Sequence, residues 1–247
     1  MKGIILAAGY GTRLYPLTLD RPKPLIKVGG KTILERLLRK LEQIDTCDGV
    51  YIVTNNKFAG MVSNWVAARS FSMKIEIIND LTNSNEDRLG AIGDIDLVLK
   101  DKDPKDELLI IAGDNLFEFD IKNFIFFSRD KKTLSIALFD VKDKELAKRY
   151  GIVSIEEGGK IKGFQEKPEE PQSTLASTGI YYLTKEGRGL LDDYMKTDLV
   201  KDAPGNFVKW VSETSVAFGY VFTEGWYDIG DKKSLEKADI EYREREL

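Results

Sequence analysis

Short apolar, β-branched runs alternate with amphipathic helical segments from one end of this chain to the other, and that alternation is what most restricts its fold. Strands are predicted at residues 2–8, 49–54, 74–78, 107–112 and 134–141, then at 151–155, 160–166, 177–183 and 216–222. The first five contain unbroken apolar runs, the mark of strands buried on both faces of a mainly parallel sheet, and the intervening helices supply the covers. The expected fold class is α/β, three layers, with a mainly parallel mixed sheet and helices on both faces. The clearest helix opens at Thr32, where Thr32 and Glu35 form a Thr-x-x-Glu capping box and Ile33, Leu34, Leu37, Leu38, Leu41 and Ile44 mark one apolar stripe. Further helices are predicted at 59–69, 86–99, 121–129, 185–194, 206–213 and 233–244. No repeat, low-complexity tract or Pro/Ser/Gly linker interrupts the pattern, so residues 1–247 read as a single domain. From about residue 150 the strands shorten and glycines cluster, and a mixed-sheet extension of the same core is expected over 151–247.

The chain has no histidine and one cysteine, Cys47. Ser-His-Asp and Cys-His nucleophile systems, imidazole proton shuttles, HExxH zinc sites, intrachain disulfides and Cys-rich clusters are thereby excluded. A reducing, cytoplasmic setting is the natural expectation. Lys and Arg number 37 against 41 Asp and Glu, a net charge of −4, so no broad basic field is available for nucleic acid. Apolar stretches such as residues 3–8 and 124–127 fall far short of a bilayer span, and residues 1–3 lead straight into a strand rather than a signal peptide. No membrane partner is expected.

Strand one empties into Leu6-Ala7-Ala8-Gly9-Tyr10-Gly11-Thr12-Arg13-Leu14-Tyr15-Pro16-Leu17-Thr18. Glycines directly after a buried strand let backbone amides approach a phosphate closely. The Rossmann fingerprint fails, because its third small residue would fall on Leu14. Gly30-Lys31-Thr32 imitates the end of a Walker A loop, but the first glycine of that motif would fall on Leu25, and the capping box accounts for Thr32 by itself. What remains is two glycines, Arg13 two residues later, and a second cationic segment in which Pro22 and Pro24 stiffen the backbone on either side of Lys23. Singly, Arg13 and Lys23 read as solvated charges; together on one glycine loop they point to a bound phosphate. Asp114 follows the apolar run 108–112 at the carboxyl end of its strand, where open α/β sheets place ligands, and Asp228 follows Trp226-Tyr227. Two carboxylates with phosphate oxygens suit Mg²⁺. Either aspartate serves equally well as a turn or cap residue.

These residues resemble the sugar-1-phosphate nucleotidyltransferases, the nucleotide-sugar pyrophosphorylases. The resemblance rests on Leu6-Ala-Ala-Gly-x-Gly-Thr-Arg-Leu-x-Pro-Leu-Thr18, Pro22-Lys-Pro-Leu25 and Val28-Gly-Gly-Lys31. It continues, in the family's order, through Gly113-Asp-Asn115, Arg149-Tyr-Gly-Ile152, Gly163-Phe-Gln-Glu-Lys-Pro168, Ser177-Thr-Gly-Ile-Tyr181 and Trp226-Tyr-Asp-Ile-Gly230. The pattern is most like the short bacterial glucose-1-phosphate thymidylyl- and uridylyltransferases. It implies the Rossmann-like nucleotide-diphospho-sugar transferase fold, with a nucleotide-binding half to about residue 150 and a sugar-phosphate half beyond it. The implied reaction joins a nucleoside triphosphate, dTTP or UTP, to a sugar 1-phosphate such as glucose 1-phosphate, releasing pyrophosphate. By resemblance, Arg13 and Lys23 are the catalytic cations, and Leu6, Ala7, Ala8, Gly9, Gly11, Thr12, Gly90 and Asp114 bind the nucleotide. Asp114 and Asp228 hold Mg²⁺. Asn115, Gly151, Glu166, Lys167 and Thr178 take the sugar phosphate.

The family's base-reading segment, Gly-Leu-Ala-Gln-Ala or Gly-Thr-Ala-Gly-Ala, is replaced here by Asn83-Ser-Asn-Glu-Asp-Arg-Leu-Gly-Ala-Ile92, which has no glutamine. Its polar run reads the base, binds a second ion, or caps the next helix through Ser84 and Asp87. The short stretch after Asp228 leaves no room for a left-handed β-helix, which disfavours the acetyltransferase-fused and allosteric ADP-glucose forms. Competing readings are a catalytically silent nucleotide-sugar-binding relative, a CTP-dependent transferase with another phosphate acceptor, and a glycosyltransferase. The last lacks its Asp-x-Asp element, since Gly113-Asp-Asn115 runs into Leu116. The oligomeric state stays open, a homo-oligomer included.

Overall fold

The computed structural model describes residues 1–245. They carry the strands β1 (Lys2–Leu6), β2 (Lys27–Val28), β3 (Lys31–Thr32), β4 (Gly49–Thr54), β5 (Lys74–Asn79), β6 (Leu108–Ala112) and β7 (Asn115–Phe117). Then follow β8 (Leu134–Asp140), β9 (Gly151–Ile155), β10 (Ile161–Glu166), β11 (Leu175–Leu183), β12 (Ala217–Phe222) and β13 (Trp226–Asp228). The helices are α1 (Ile33–Glu42), α2 (Ala59–Ala67), α3 (Gly90–Lys102), α4 (Ile121–Arg129), α5 (Lys144–Ala147), α6 (Gly189–Met195), α7 (Pro204–Thr214) and α8 (Lys232–Arg245). Together they give the mixed, mainly parallel sheet with helices that the alternation predicts.

Two compact units share this chain: Met1–Leu89, Ile111–Phe117 and the stretch from Trp226 onward form the first, and Gly90–Ile110 with Glu118–Gly225 the second. In the first unit β1, β4 and β5 run parallel, with Lys2 opposite Gly49 and Gly49 opposite Lys74. All six residues of β4 are buried, as an unbroken apolar run demands. β5 is the edge strand and buries only Ile78. α1 lays Ile33, Leu34, Leu37, Leu38 and Leu41 into the core, and the Thr32 hydroxyl accepts from the Glu35 amide at 3.1 Å, as the capping box requires. In the second unit β11 runs antiparallel to both β8 and β9, β10 antiparallel to β9, and β12 parallel to β8.

Three expectations shift for physical reasons. The first strand stops at Leu6 rather than residue 8, because the Asn55 side chain, not a neighbouring strand, donates to the Ala8 carbonyl at 2.8 Å. The helix expected over 86–99 begins at Gly90, since Asp87 bends the preceding segment by accepting the amides of Asn83 and Ser84. The helix expected over 185–194 divides into a 3₁₀ turn, Glu186–Arg188, and α6. Cys47 is free and buried, and burial pushes its thiol up. Among the described residues no helix is long and apolar enough to cross a membrane.

Candidate active site

Within the first unit, three stretches distant in sequence converge where β1 and β6 end. Gly113 donates its amide to the Leu6 carbonyl at 2.8 Å, and a Cβ on Gly113 would lie 2.7 Å from that oxygen and 3.1 Å from Pro24. The glycine loop leaves β1 here. Gly11 adopts φ +62°, a left-handed conformation that glycine takes without strain, and its carbonyl accepts from the Thr18 hydroxyl at 2.7 Å. The loop then closes into a 3₁₀ turn, Thr12–Leu14, carrying Arg13. A second 3₁₀ turn, Lys23–Leu25, starts after Pro22, and the rings of Pro22 and Pro24 fix their own φ on either side of Lys23.

This packing sets Lys23 Nζ 2.6 Å from Asp114 Oδ2, with the Lys23 side chain only 11% exposed. Burial acts to raise the Asp114 carboxyl, but the Lys23 ammonium and, secondarily, the Arg13 guanidinium outweigh it and hold the group below the ordinary carboxylate range. On its other oxygen Asp114 accepts from Asn115 Nδ2 at 3.0 Å, and Asn115 Oδ1 accepts from the Trp226 indole at 2.7 Å. Asp228 arrives through the antiparallel pair of β7 and β13, where it stands opposite Asn115, and the Ile229 amide donates to the Asp114 carbonyl at 3.0 Å. Asp228 Oδ2 and Arg13 Nη1 both crowd the space a Gly230 side chain would need, at 3.3 and 3.6 Å from its Cβ position. Two cations and two carboxylates therefore gather at one point. Among the described residues no three carboxylate or thiol groups form a cage able to hold a metal on their own. A pair of hard oxygen ligands fits Mg²⁺ all the same, because that ion keeps waters and takes the rest of its shell from phosphate oxygens.

The segment that departs from the family pattern is a self-bonded loop. Asn79 bonds Asn56, Asn56 bonds Asn83, and Asn83 donates to the Leu81 carbonyl. Beneath it Asp80 is 6% exposed; its Oδ1 accepts from the amide and hydroxyl of Thr82, while Oδ2 is buried without a hydrogen-bond partner. The Tyr10 hydroxyl of the glycine loop lies 3.3 Å from the Thr82 hydroxyl. Burial raises the Asp80 carboxyl against the two Thr82 bonds. The folded protein thus keeps this proton to higher pH than the unfolded chain, and ionisation on going to neutral pH costs stability. Asp80→Asn should gain on the parent protein as pH rises from about 4 to about 7.5, read as the difference in urea midpoints. A gap that does not widen with pH refutes the assignment.

In the second unit Glu166 ends β10 and Lys167 is the first residue beyond it. Lys167 has φ +44° and its amide donates to the Tyr150 carbonyl at 3.0 Å, which turns the ammonium out to 3.9 Å from Glu166 Oε1. Burial raises the Glu166 carboxyl, with Lys167 opposing. Gly151 and Gly205 flank this carboxylate: a Cβ on either would meet Glu166 Oε2, at 3.2 and 2.5 Å, as well as the Phe164 ring. Thr178 is buried, its hydroxyl donating to the Ala137 carbonyl at 2.8 Å. Gly90, at φ +78°, abuts the Asp202 backbone, and the amides of Ala91 and Ile92 donate to the Asp202 and Lys201 carbonyls. Sequence reasoning passed over Gly205, whose only cue is the Pro204-Gly205 start of α7, and Trp226, which entered as a motif letter rather than as a hydrogen-bond donor.

The chain belongs to the nucleotidyl transferase family, whose sequence model matches residues 2–245. It is similar to the bifunctional protein GlmU of Methanocaldococcus jannaschii, 31% identical over 244 residues that make up 97% of this chain and 53% of that protein. It is also similar to a UTP–glucose-1-phosphate uridylyltransferase of Synechocystis, 29% identical over 93% of this chain and 60% of that one. The chain thus spans between about half and 60% of the curated relatives' length. Among solved structures, a Bacillus anthracis protein assigned as a glucose-1-phosphate thymidylyltransferase, in complex with sucrose, shares 27% identity at a TM-score of 0.84, covering 98% of this chain and 95% of that one.

Proposed function

We propose that this chain is a sugar-1-phosphate nucleotidyltransferase working as a single domain in the cytoplasm. The phosphate of a sugar 1-phosphate attacks the α-phosphorus of a nucleoside triphosphate, forming a nucleotide-sugar and releasing pyrophosphate. The thymidylyl- and uridylyltransferase names carried by its relatives favour dTTP or UTP with a hexose 1-phosphate such as glucose 1-phosphate. One observation carries the reading: Lys23 and Arg13 share a site with Asp114 and Asp228 at the ends of β1 and β6. Cations alone would suit any anion, and carboxylates alone any cation; a chemistry that brings two anions together over a metal needs both.

The absence of histidine fits. A phosphomonoester with a second pKa of about 6 reaches the site largely deprotonated, so no side chain has to act as general base. Catalysis then consists of alignment and of charge stabilisation by groups already in place. Backbone amides about Gly9 and Gly11 approach the triphosphate, where a Cβ at Gly9 would meet nothing but at Gly11 would strain the loop. Arg13 neutralises the triphosphate and its leaving end, and Lys23 the phosphates around the reacting centre. Asp114 and Asp228 would hold Mg²⁺, which when bound supplies positive charge to phosphate oxygens. Lys167 takes the acceptor phosphate and Glu166 accepts from sugar hydroxyls. The test is a matrix of nucleoside triphosphates against common sugar 1-phosphates with Mg²⁺, scored for pyrophosphate; at least one pair should release it, and silence across the matrix refutes the proposal.

A further inference from the structure

The strand that presents Asp228 is short. β13 has three residues, pairs with the three of β7 and runs between Gly225 and Gly230. The Glu118 amide donating to the Gly225 carbonyl at 2.8 Å and the Ile229 amide donating to the Asp114 carbonyl at 3.0 Å extend this ladder by one bond at each end, so what orients its side chains is what they meet on either face. Alternation puts Trp226 and Asp228 on one side and Tyr227 on the other. On that far side lies α8. The Tyr227 hydroxyl donates to Glu241 and accepts from Arg245 at 2.8 Å, and its ring meets Tyr242 edge-on at 5.6 Å. α8 is itself fastened to the segment after Lys23: Asp239 accepts the Gly29 amide at 2.9 Å, and Tyr242 fits against Gly29 so closely that a Cβ there would lie 2.6 Å from it. Arg36 donates to the Val28 and Gly29 carbonyls and covers the Tyr242 ring at 4.3 Å.

We infer that Tyr227 is a positioning residue: clamped by Glu241 and Arg245 of α8, its hydroxyl fixes β13 so that Asp228 stays beside Asp114 as one oxygen pair for a divalent cation. This rests on the proposed role of those two carboxylates. The clamp acts from behind the strand and touches no substrate, so its loss should appear in cation binding before it appears in the fold. Orienting groups of this kind are worth about 10- to 100-fold in metal affinity, and one acting through a strand belongs at the lower end.

The probe is Mn²⁺, titrated by electron paramagnetic resonance on the full chain with inorganic pyrophosphate present. Tyr227→Phe, which keeps the ring contact with Tyr242, should weaken Mn²⁺ binding about tenfold and raise the Mg²⁺ concentration for half-maximal turnover in step, while circular dichroism is unchanged. Glu241→Gln keeps an oxygen to accept from Tyr227 and should bind Mn²⁺ like the parent. Unchanged Mn²⁺ affinity in Tyr227→Phe, with affinity lost in Asp228→Asn, overturns the clamp alone. If the parent fails to bind Mn²⁺, or Asp228→Asn binds it equally well, the metal reading fails and the clamp with it.

Discussion

Lys23→Ala is expected to lower kcat by roughly 10²–10³, the usual cost of removing one preorganised charge contact at a reacting centre. The ammonium is held rather than merely nearby, since the 3₁₀ turn between Pro22 and Leu25 fixes its backbone and Asp114 fixes its head at 2.6 Å. A flexible lysine would have to be ordered in each turnover; this one is ordered beforehand. The substitution also frees Asp114. With Lys23 gone, burial has only Arg13 and local hydrogen bonds to oppose it, and the Asp114 carboxyl should rise. In the parent, a lowered carboxylate contributes stability above its unfolded value and loses it as pH falls through the folded one, so the variant should show a shallower loss of stability in acid. Lys23→Met, which keeps the apolar stem, should lose as much turnover as alanine if charge is what matters. Near-normal kcat in either variant, measured at saturating substrates and Mg²⁺, would sink the assignment.

How much of this could be read from the chain differs by element. The start of α1 was legible because its cap and most of its stripe lie within a dozen residues, although Ile44 of that stripe falls beyond the helix end at Glu42, and β4 was legible because its apolar run has clean edges. The β7–β13 pair was not, since each strand is three residues long and its partner lies 111 positions away, as the Trp226 bond to Asn115 shows. No local period encodes such a pairing. The polar run 83–88 misled the helix boundary because serine and aspartate serve a self-bonded turn as readily as a cap. Arg13, Lys23, Asp114 and Asp228 were each picked out by loop chemistry or by position after a strand. Their meeting in one site depends on Gly113 lying against Leu6, which motif order implied but could not supply as distance. A net charge of −4 likewise concealed a site whose two cations matter only because their backbones are fixed.

Gly113→Ala should test that meeting most sharply. Its Cβ would stand 2.7 Å from the Leu6 carbonyl oxygen and 3.1 Å from Pro24 Cγ. Leu6 cannot withdraw, because it is paired in register with Val53 and accepts the Gly113 amide at 2.8 Å. Pro24 cannot swing aside, having no rotamer to change. The strain must therefore be relieved by parting the end of β6 from β1, at about 1–3 kcal/mol of stability for an overpacked site. Asp114 is the next residue, so the same displacement pulls its carboxylate from Lys23, and kcat should fall by at least about tenfold even at temperatures where the variant is fully folded. Gly163→Ala is the control: a Cβ there meets nothing within 4 Å, and stability should stay within about ±0.5 kcal/mol. A Gly113→Ala protein with parental unfolding midpoint and parental kcat would mean that β1 and β6 do not approach as closely as 2.7 Å implies, and that the cations and carboxylates are held together by something other than this contact.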